Sequence, residues 1–69
     1  MGRHLLTDVV VEYHDAAGVL RRVGIVDDEP VDDPSEIPAD RHLTLRTLAT
    51  REAAIGIGRL WLAEKNARD

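Results

Sequence analysis

Few side chains in this sequence are of the types that perform covalent or metal chemistry. There is no cysteine, and the only serine, Ser35, lies between prolines rather than in the G-x-S-x-G context of a hydrolase nucleophile. The three histidines, His4, His14 and His42, are not spaced as metal-ligand pairs such as H-x-x-x-H. We therefore expect no catalytic residue, no metal site and no cofactor, and the sequence favours a non-enzymatic protein.

The densest charge lies in residues 27–40, which hold seven acidic residues, all three prolines and no lysine or arginine. These acids do not follow the EF-hand pattern, which requires a glycine at its sixth position. We expect an extended, solvated loop, in which Asp33 and Pro34 begin a short helical turn that ends before Pro38. Alternatively, the acids contact a basic site on another protein. The candidate residues for that contact are Asp27, Asp28, Glu29, Asp32 and Asp33.

One segment suggests nucleic-acid binding. Residues 48–54, LATREAA, resemble the opening of the helix-turn-helix in excisionase-like and MerR-like DNA-binding domains, where a threonine caps a helix running R-E-A-A. The resemblance implies a DNA-binding regulator, and Arg51, Arg59 and Arg68 would supply the modest basic face that phosphate binding requires. In those families a turn and a second helix follow, whereas residues 55–61 leave too little room for them. The net charge of −4 also disfavours phosphate binding, so this function is an alternative and no family is assigned.

The elements that would position these residues begin with a hairpin. Residues 5–14, LLTDVVVEYH, and residues 19–26, VLRRVGIV, are rich in β-branched residues that alternate with a period of two. Between them, Asp15 favours the first position of a turn and Gly18 favours the left-handed conformation that follows it. We therefore predict a β-hairpin across residues 7–26.

A helix is predicted over residues 50–67, with Thr50 as its N-cap and Glu52 in its first turn. Its apolar residues form two adjacent stripes, more than one sheet face usually requires. The first stripe contains Ala53, Ala54, Ile57, Leu60, Trp61 and Ala67, and the second contains Ile55, Gly58 and Leu62. We expect the first stripe to face the sheet and the second to bind a partner. The predicted partner interface is Ile55, Gly58, Trp61 and Leu62.

Residues 42–48, HLTLRTL, alternate as a third strand, and the competing interpretation starts the final helix at Asp40. The pattern predicts one α+β domain over residues 1–69. Its three-stranded antiparallel β-sheet, the N-terminal hairpin plus one strand, is packed by one C-terminal α-helix. The predicted core is Val9, Val11, Tyr13, Val23, Ile25, Leu43, Leu45, Ile57, Leu60 and Trp61.

The sequence also predicts location and partners. No secretory signal is recognisable, and no window approaches the ~20 apolar residues that span a bilayer, so we expect a cytoplasmic protein without membrane contact. A core this small rarely supplies more than about 3–5 kcal/mol, which favours self-association. We expect a protein–protein interaction module, either an accessory subunit or a phage-type structural or host-takeover protein. It would act through its helix and a sheet edge on a second copy, as a homodimer, or on another protein; a further alternative is an acidic mimic or inhibitor.

Overall fold

The computed structural model describes residues 5–32, 37 and 39–67, which form four strands, a 3-10 turn and one α-helix. The elements are β1 (Asp8–His14), β2 (Leu20–Val26), β3 (Glu29–Val31), the 3-10 turn (Ala39–Arg41), β4 (His42–Leu48) and α1 (Arg51–Ala67). The strands form one mixed sheet in the order β3-β2-β1-β4, and α1 packs on β1 and β2. The α+β class with one C-terminal helix is confirmed, whereas the three-stranded antiparallel sheet is wrong.

The predicted hairpin is present as β1 and β2, which pair antiparallel from Asp8 opposite Val26 to His14 opposite Leu20. Its turn depends on Asp15, whose Oδ1 accepts hydrogen bonds from the backbone N–H groups of Ala17 and Val19 at 2.9 and 3.0 Å. Gly18 has a φ of 79°, the left-handed conformation that glycine adopts without steric cost.

The acidic segment contains a strand that the sequence analysis did not predict. Asp27 and Asp28 both have positive φ, 52° and 69°, and form the two-residue turn that returns the chain onto β2. Pro30 then lies in β3 at the sheet edge, where a missing N–H removes no hydrogen bond from the ladder. An extended loop over all of residues 27–40 is therefore wrong at β3. The helical turn predicted at residues 33–36 lies outside the described residues.

β4 is a strand, as predicted, but it runs parallel to β1. The cause is β3, which occupies the far edge beside β2 and runs in the same direction as β1. The chain then crosses to the other side of β1 and enters β4 in that same direction. Arg41, at the entrance to β4, forms an ion pair with Asp8 at the start of β1.

The core lies between α1 and the sheet. Five of the predicted core residues are buried there, namely Val9, Val11, Tyr13, Val23 and Ile25, and Leu43, Leu45 and Trp61 are partly buried against them. The prediction is wrong for Ile57 and Leu60, which are 40% and 60% exposed. The buried residues of α1 are instead Ala54, Ile55, Gly58 and Leu62.

Gly58 explains why α1 presents this stripe to the sheet. A Cβ atom at position 58 would lie 2.8 Å from Ile25 Cδ1 and 3.0 Å from Val11 Cγ2. The helix therefore approaches the sheet at the one turn where it has no side chain, and Ile55 and Leu62 flank that point in the core. If α1 were rotated so that Ile57 and Leu60 faced the sheet, their side chains would hold the helix backbone further from the sheet, and the close contact at Gly58 would be lost.

Candidate interaction surfaces

The side of α1 that faces away from the sheet is apolar. Five small or apolar residues follow one another at alternating intervals of three and four, which is the spacing of a coiled-coil seam. They are Ala53, Gly56, Leu60, Ala63 and Ala67, and all five are exposed. Exposed Ile57 borders this seam, and Glu64 is the charged residue on the same side. We call Ala53, Gly56, Ile57, Leu60 and Ala63 the outer face of α1.

This arrangement changes the roles predicted for the two stripes, although Ala54 and Trp61 of the first stripe do pack against the core as predicted. Ile55, Gly58 and Leu62 were predicted to bind a partner, and the structure buries all three against the sheet. Trp61, the fourth predicted interface residue, is partly buried at the margin of the core, with Lys65 Nζ 5.6 Å from its ring centre. One sequence signal could have revealed the change: Gly58 is the position at which a helix can approach a sheet most closely.

The acidic residues lie beside the helix rather than in a separate loop. Arg59 of α1 donates from Nη2 to the Asp28 carbonyl oxygen at 3.0 Å, and its Nε lies 3.3 Å from Asp28 Oδ1. Arg51 forms an ion pair with Asp32 at 2.9 Å. Asp27 and Glu29 are exposed neighbours of these contacts. Asp28 and Asp32 therefore lie beside α1, in exposed ion pairs that add little to stability, and Asp33 lies outside the described residues.

The two edges of the sheet differ in length and chemistry. β3 has three residues, including Pro30, and acidic residues flank it. β4 has seven residues, with no proline and no acidic residue, and no strand in the described part of the chain pairs with its outer side. The β1–β4 register shifts between Glu12 and His14, so β4 contains a bulge after Thr44. A bulge partly protects an edge strand, and the regular part of this edge is His42–Thr44.

The face of the sheet opposite α1 is polar at its centre. Glu12 accepts a hydrogen bond from Arg22 Nη2 of β2 at 2.9 Å and one from Thr44 Oγ1 of β4 at 3.4 Å. Towards the hairpin turn, His14 lies between Leu20 and Leu48, which are 57% and 63% exposed. These contacts connect three strands and include no arrangement of nucleophile and base.

A shallow groove of about 380 Å³ adjoins the start of α1 and is lined by Ala16, Leu48, Ala49, Thr50 and Ala53. Its polar side chain is Thr50, whose Oγ1 accepts the Ala53 N–H at 3.1 Å and so caps the helix, as predicted. The groove therefore offers an apolar surface, continuous with the outer face through Ala53, and no reactive group.

Neither a metal site nor a membrane-spanning helix is found in residues 5–32, 37 and 39–67. No three histidine or acidic side chains of these residues are grouped closely enough to hold a metal ion. His14 is exposed, His42 Nε2 lies 3.2 Å from the Ile37 carbonyl oxygen, and His4 lies outside the described residues. Over the same range, no helix is long and apolar enough to cross a bilayer.

Comparison with known proteins adds no family: no family model matches the chain, and no curated protein or solved structure matches it significantly. The similarity of residues 48–54 to a helix-turn-helix opening therefore depends on those residues alone. In the structure they form the end of β4 and the first turn of α1, which continues unbroken to Ala67. A turn and a second helix therefore do not follow within residues 51–67.

Proposed function

We propose that this chain is a non-enzymatic protein–protein interaction module and that it binds a second copy of itself through the outer face of α1. The observation that carries the proposal is the exposure of Ile57 and Leu60 in the middle of that face. A helix packed on a sheet normally presents charged residues to solvent. Here Glu64 is the charged residue on that side, whereas Arg51 and Arg59 lie on the flank beside Asp32 and Asp28.

The outer face is self-complementary about Leu60. In an antiparallel pair of α1 helices related by a two-fold axis at Leu60, residues whose numbers sum to 120 lie opposite each other. Ala53 then faces the partner's Ala67, and Ile57 faces the partner's Ala63, so a large side chain meets a small one. Leu60 packs against the partner's Leu60. Small residues along both helices allow the close approach that this packing requires.

The expected dimer is weak. Full burial of a leucine or isoleucine side chain contributes roughly 1.5–3 kcal/mol, and Ile57 and Leu60 already hide part of their surface. One helix face also buries less than the ~800 Å² per partner of a standard interface. We therefore expect association at high micromolar concentration, with a melting temperature that rises with protein concentration.

Sedimentation equilibrium of the full chain tests the proposal, with Leu60→Glu as the disrupting variant. Leu20→Glu is the matched control, because Leu20 is 57% exposed, close to the 60% of Leu60, and lies on the sheet face opposite α1. We expect a mass approaching two chains for the wild type and Leu20→Glu, and one chain for Leu60→Glu. A wild type that stays monomeric at millimolar concentration would refute the proposal, as would equal dissociation of both variants.

The other functions considered from the sequence have less support. Nucleic-acid binding would draw on Arg51 and Arg59, which already form ion pairs with acidic residues. An acidic mimic would use the carboxylates of Asp28 and Asp32, which already lie beside Arg59 and Arg51 of the same chain. A small interaction module suits an accessory subunit or a phage-type structural or host-takeover protein, and the sequence prediction of a cytoplasmic location is kept with it.

A further inference from the structure

We propose that the β4 edge binds an extended segment of another protein as a fifth strand, and that this segment alternates apolar and acidic residues. The inference goes beyond the proposed dimer, because it concerns a different surface and a different partner. It depends on the asymmetry of the two sheet edges, on the apolar side of β4 and on the charge beside it.

The outer side of β4 has backbone groups that no strand of the described residues pairs with. Alternate residues of an edge strand direct their N–H and C=O groups away from the sheet, where another strand can pair with them. Pro30 and the short length of β3 obstruct such pairing at one edge. At the other edge, the strand is longer, its pairing is regular over His42–Thr44, and every residue there has an N–H group. The bulge after Thr44 limits the regular ladder, so the bound segment is short.

The side of β4 that faces the core is apolar. Leu43 and Leu45 lie on the α1 side of the sheet and are only partly buried, because α1 packs over β1 and β2. Trp61 of α1 is also partly buried against the same core. An added strand would place every second side chain on this side, and apolar residues there would extend the core. Its other side chains would lie beside Thr44 and Arg46.

The segment that contains β4 is basic. Residues 41–51 include three arginines and no acidic residue. Arg41 pairs with Asp8 and Arg51 pairs with Asp32, whereas exposed Arg46 forms no ion pair with any residue that the structure describes. An acidic residue in the added strand would complement Arg46. The segment that binds there must supply this acid, because β4 itself, residues 42–48, contains none.

Titration of the isotope-labelled full chain with three capped octapeptides tests the inference by NMR. The first alternates valine and glutamate, the second alternates valine and lysine, and the third is the first with a proline at its centre. We expect the first peptide to shift the amide signals of residues 42–46 most strongly. It should bind about fivefold more tightly than the lysine peptide, because one exposed ion pair between a peptide glutamate and Arg46 contributes up to about 1 kcal/mol. The proline peptide should bind more weakly than the first, because it lacks a central N–H.

Arg46→Glu supplies the charge control, because Arg46 is exposed and its replacement leaves the core intact. In this variant the lysine peptide should bind more tightly than the glutamate peptide. The inference is overturned if no peptide binds at millimolar concentration, if the shifts fall on the outer face of α1, or if Arg46→Glu leaves the order of affinities unchanged. It is also overturned if residues 42–46 shift with protein concentration alone, since the occupant would then be a second copy. The titration should be repeated with the Leu60→Glu variant, in which the proposed dimer cannot form. Peptide binding at residues 42–46 should be unchanged there, so the two proposals can fail independently.

Discussion

Replacing each of two glycines in α1 by alanine should have opposite effects on stability. Alanine favours a helix interior over glycine by about 0.5–1 kcal/mol, and both Gly56 and Gly58 lie inside α1. At position 56 an added Cβ meets nothing within 4 Å, so Gly56→Ala should stabilise the fold by about that amount. At position 58 the same methyl group meets the sheet.

The cost at position 58 follows from the contacts. The added Cβ would lie 2.8 Å from Ile25 Cδ1, 3.0 Å from Val11 Cγ2 and 3.3 Å from Val9 Cγ1. The isoleucine methyl group can move, but the two valines are β-branched with stiff side chains, and both belong to the central strand β1. Overpacking of this kind costs about 1–3 kcal/mol, which exceeds the gain in helix propensity. We expect Gly58→Ala to destabilise the fold by about 1 kcal/mol net.

Thermal unfolding followed by circular dichroism at low micromolar concentration measures both variants as monomers. A change of 1 kcal/mol shifts the melting temperature of a domain this size by about 4–8 °C. The melting temperature should therefore rise in Gly56→Ala and fall in Gly58→Ala. If both variants were stabilised equally, α1 would not approach the sheet at Gly58, and the assignment of its inner and outer faces would be wrong.

Two further predictions follow from the same structure. Leu62→Ala should lower the free energy of unfolding by about 2–3 kcal/mol, because Leu62 is 9% exposed in the core. Leu60→Ala should change it by less than about 0.5 kcal/mol, because Leu60 lies outside the core. Urea denaturation measures both values, and equal losses would contradict the assignment. The pKa of the Asp15 carboxyl group is lowered by its hydrogen bond from Arg21, by the N–H groups of Val19 and Ala17, and by the charge of Arg21. The resulting stabilisation is complete above the unfolded-state pKa of about 4 and is lost as the pH falls through the folded-state pKa. Arg21→Gln should raise the pKa of Asp15, as followed by NMR titration of the carboxyl carbon, and an unchanged value would exclude the Arg21 contact.

Local patterns in the sequence predict most of the elements. The hairpin follows from alternating valines and from the Asp15 and Gly18 turn, because both features act between neighbouring residues. The helix start at Thr50 and the strand over residues 42–48 have the same local origin. The direction of β4 has no such local origin. It depends on β3, which carries the chain to the far edge of the sheet before the chain crosses to β4. A three-residue strand that contains proline carries too little periodicity to be recognised.

The sequence predicted that α1 has more apolar residues than its core contact uses, but it assigned the exposed ones to the other side of the helix. The excess of apolar residues on α1 correctly indicated that one stripe would remain outside the core. The choice between the stripes depends on backbone distance, since Gly58 permits an approach that a side chain would prevent. Hydrophobicity alone favoured the stripe with Ile57 and Leu60, because glycine contributes little to an apolar count.

The central claim is that the outer face of α1 joins two copies antiparallel about Leu60. The chain has no cysteine, so Glu52→Cys provides a single site for a nitroxide spin label on an exposed residue beside that face. Position 52 lies eight residues from Leu60, so the two labelled backbone positions should be about 24 Å apart along the helix axes at ~1.5 Å per residue. Pulsed electron paramagnetic resonance at high protein concentration should show a narrow distance distribution near this value, and Leu60→Glu should abolish it. No dipolar coupling, or a distribution that Leu60→Glu leaves unchanged, would contradict the account.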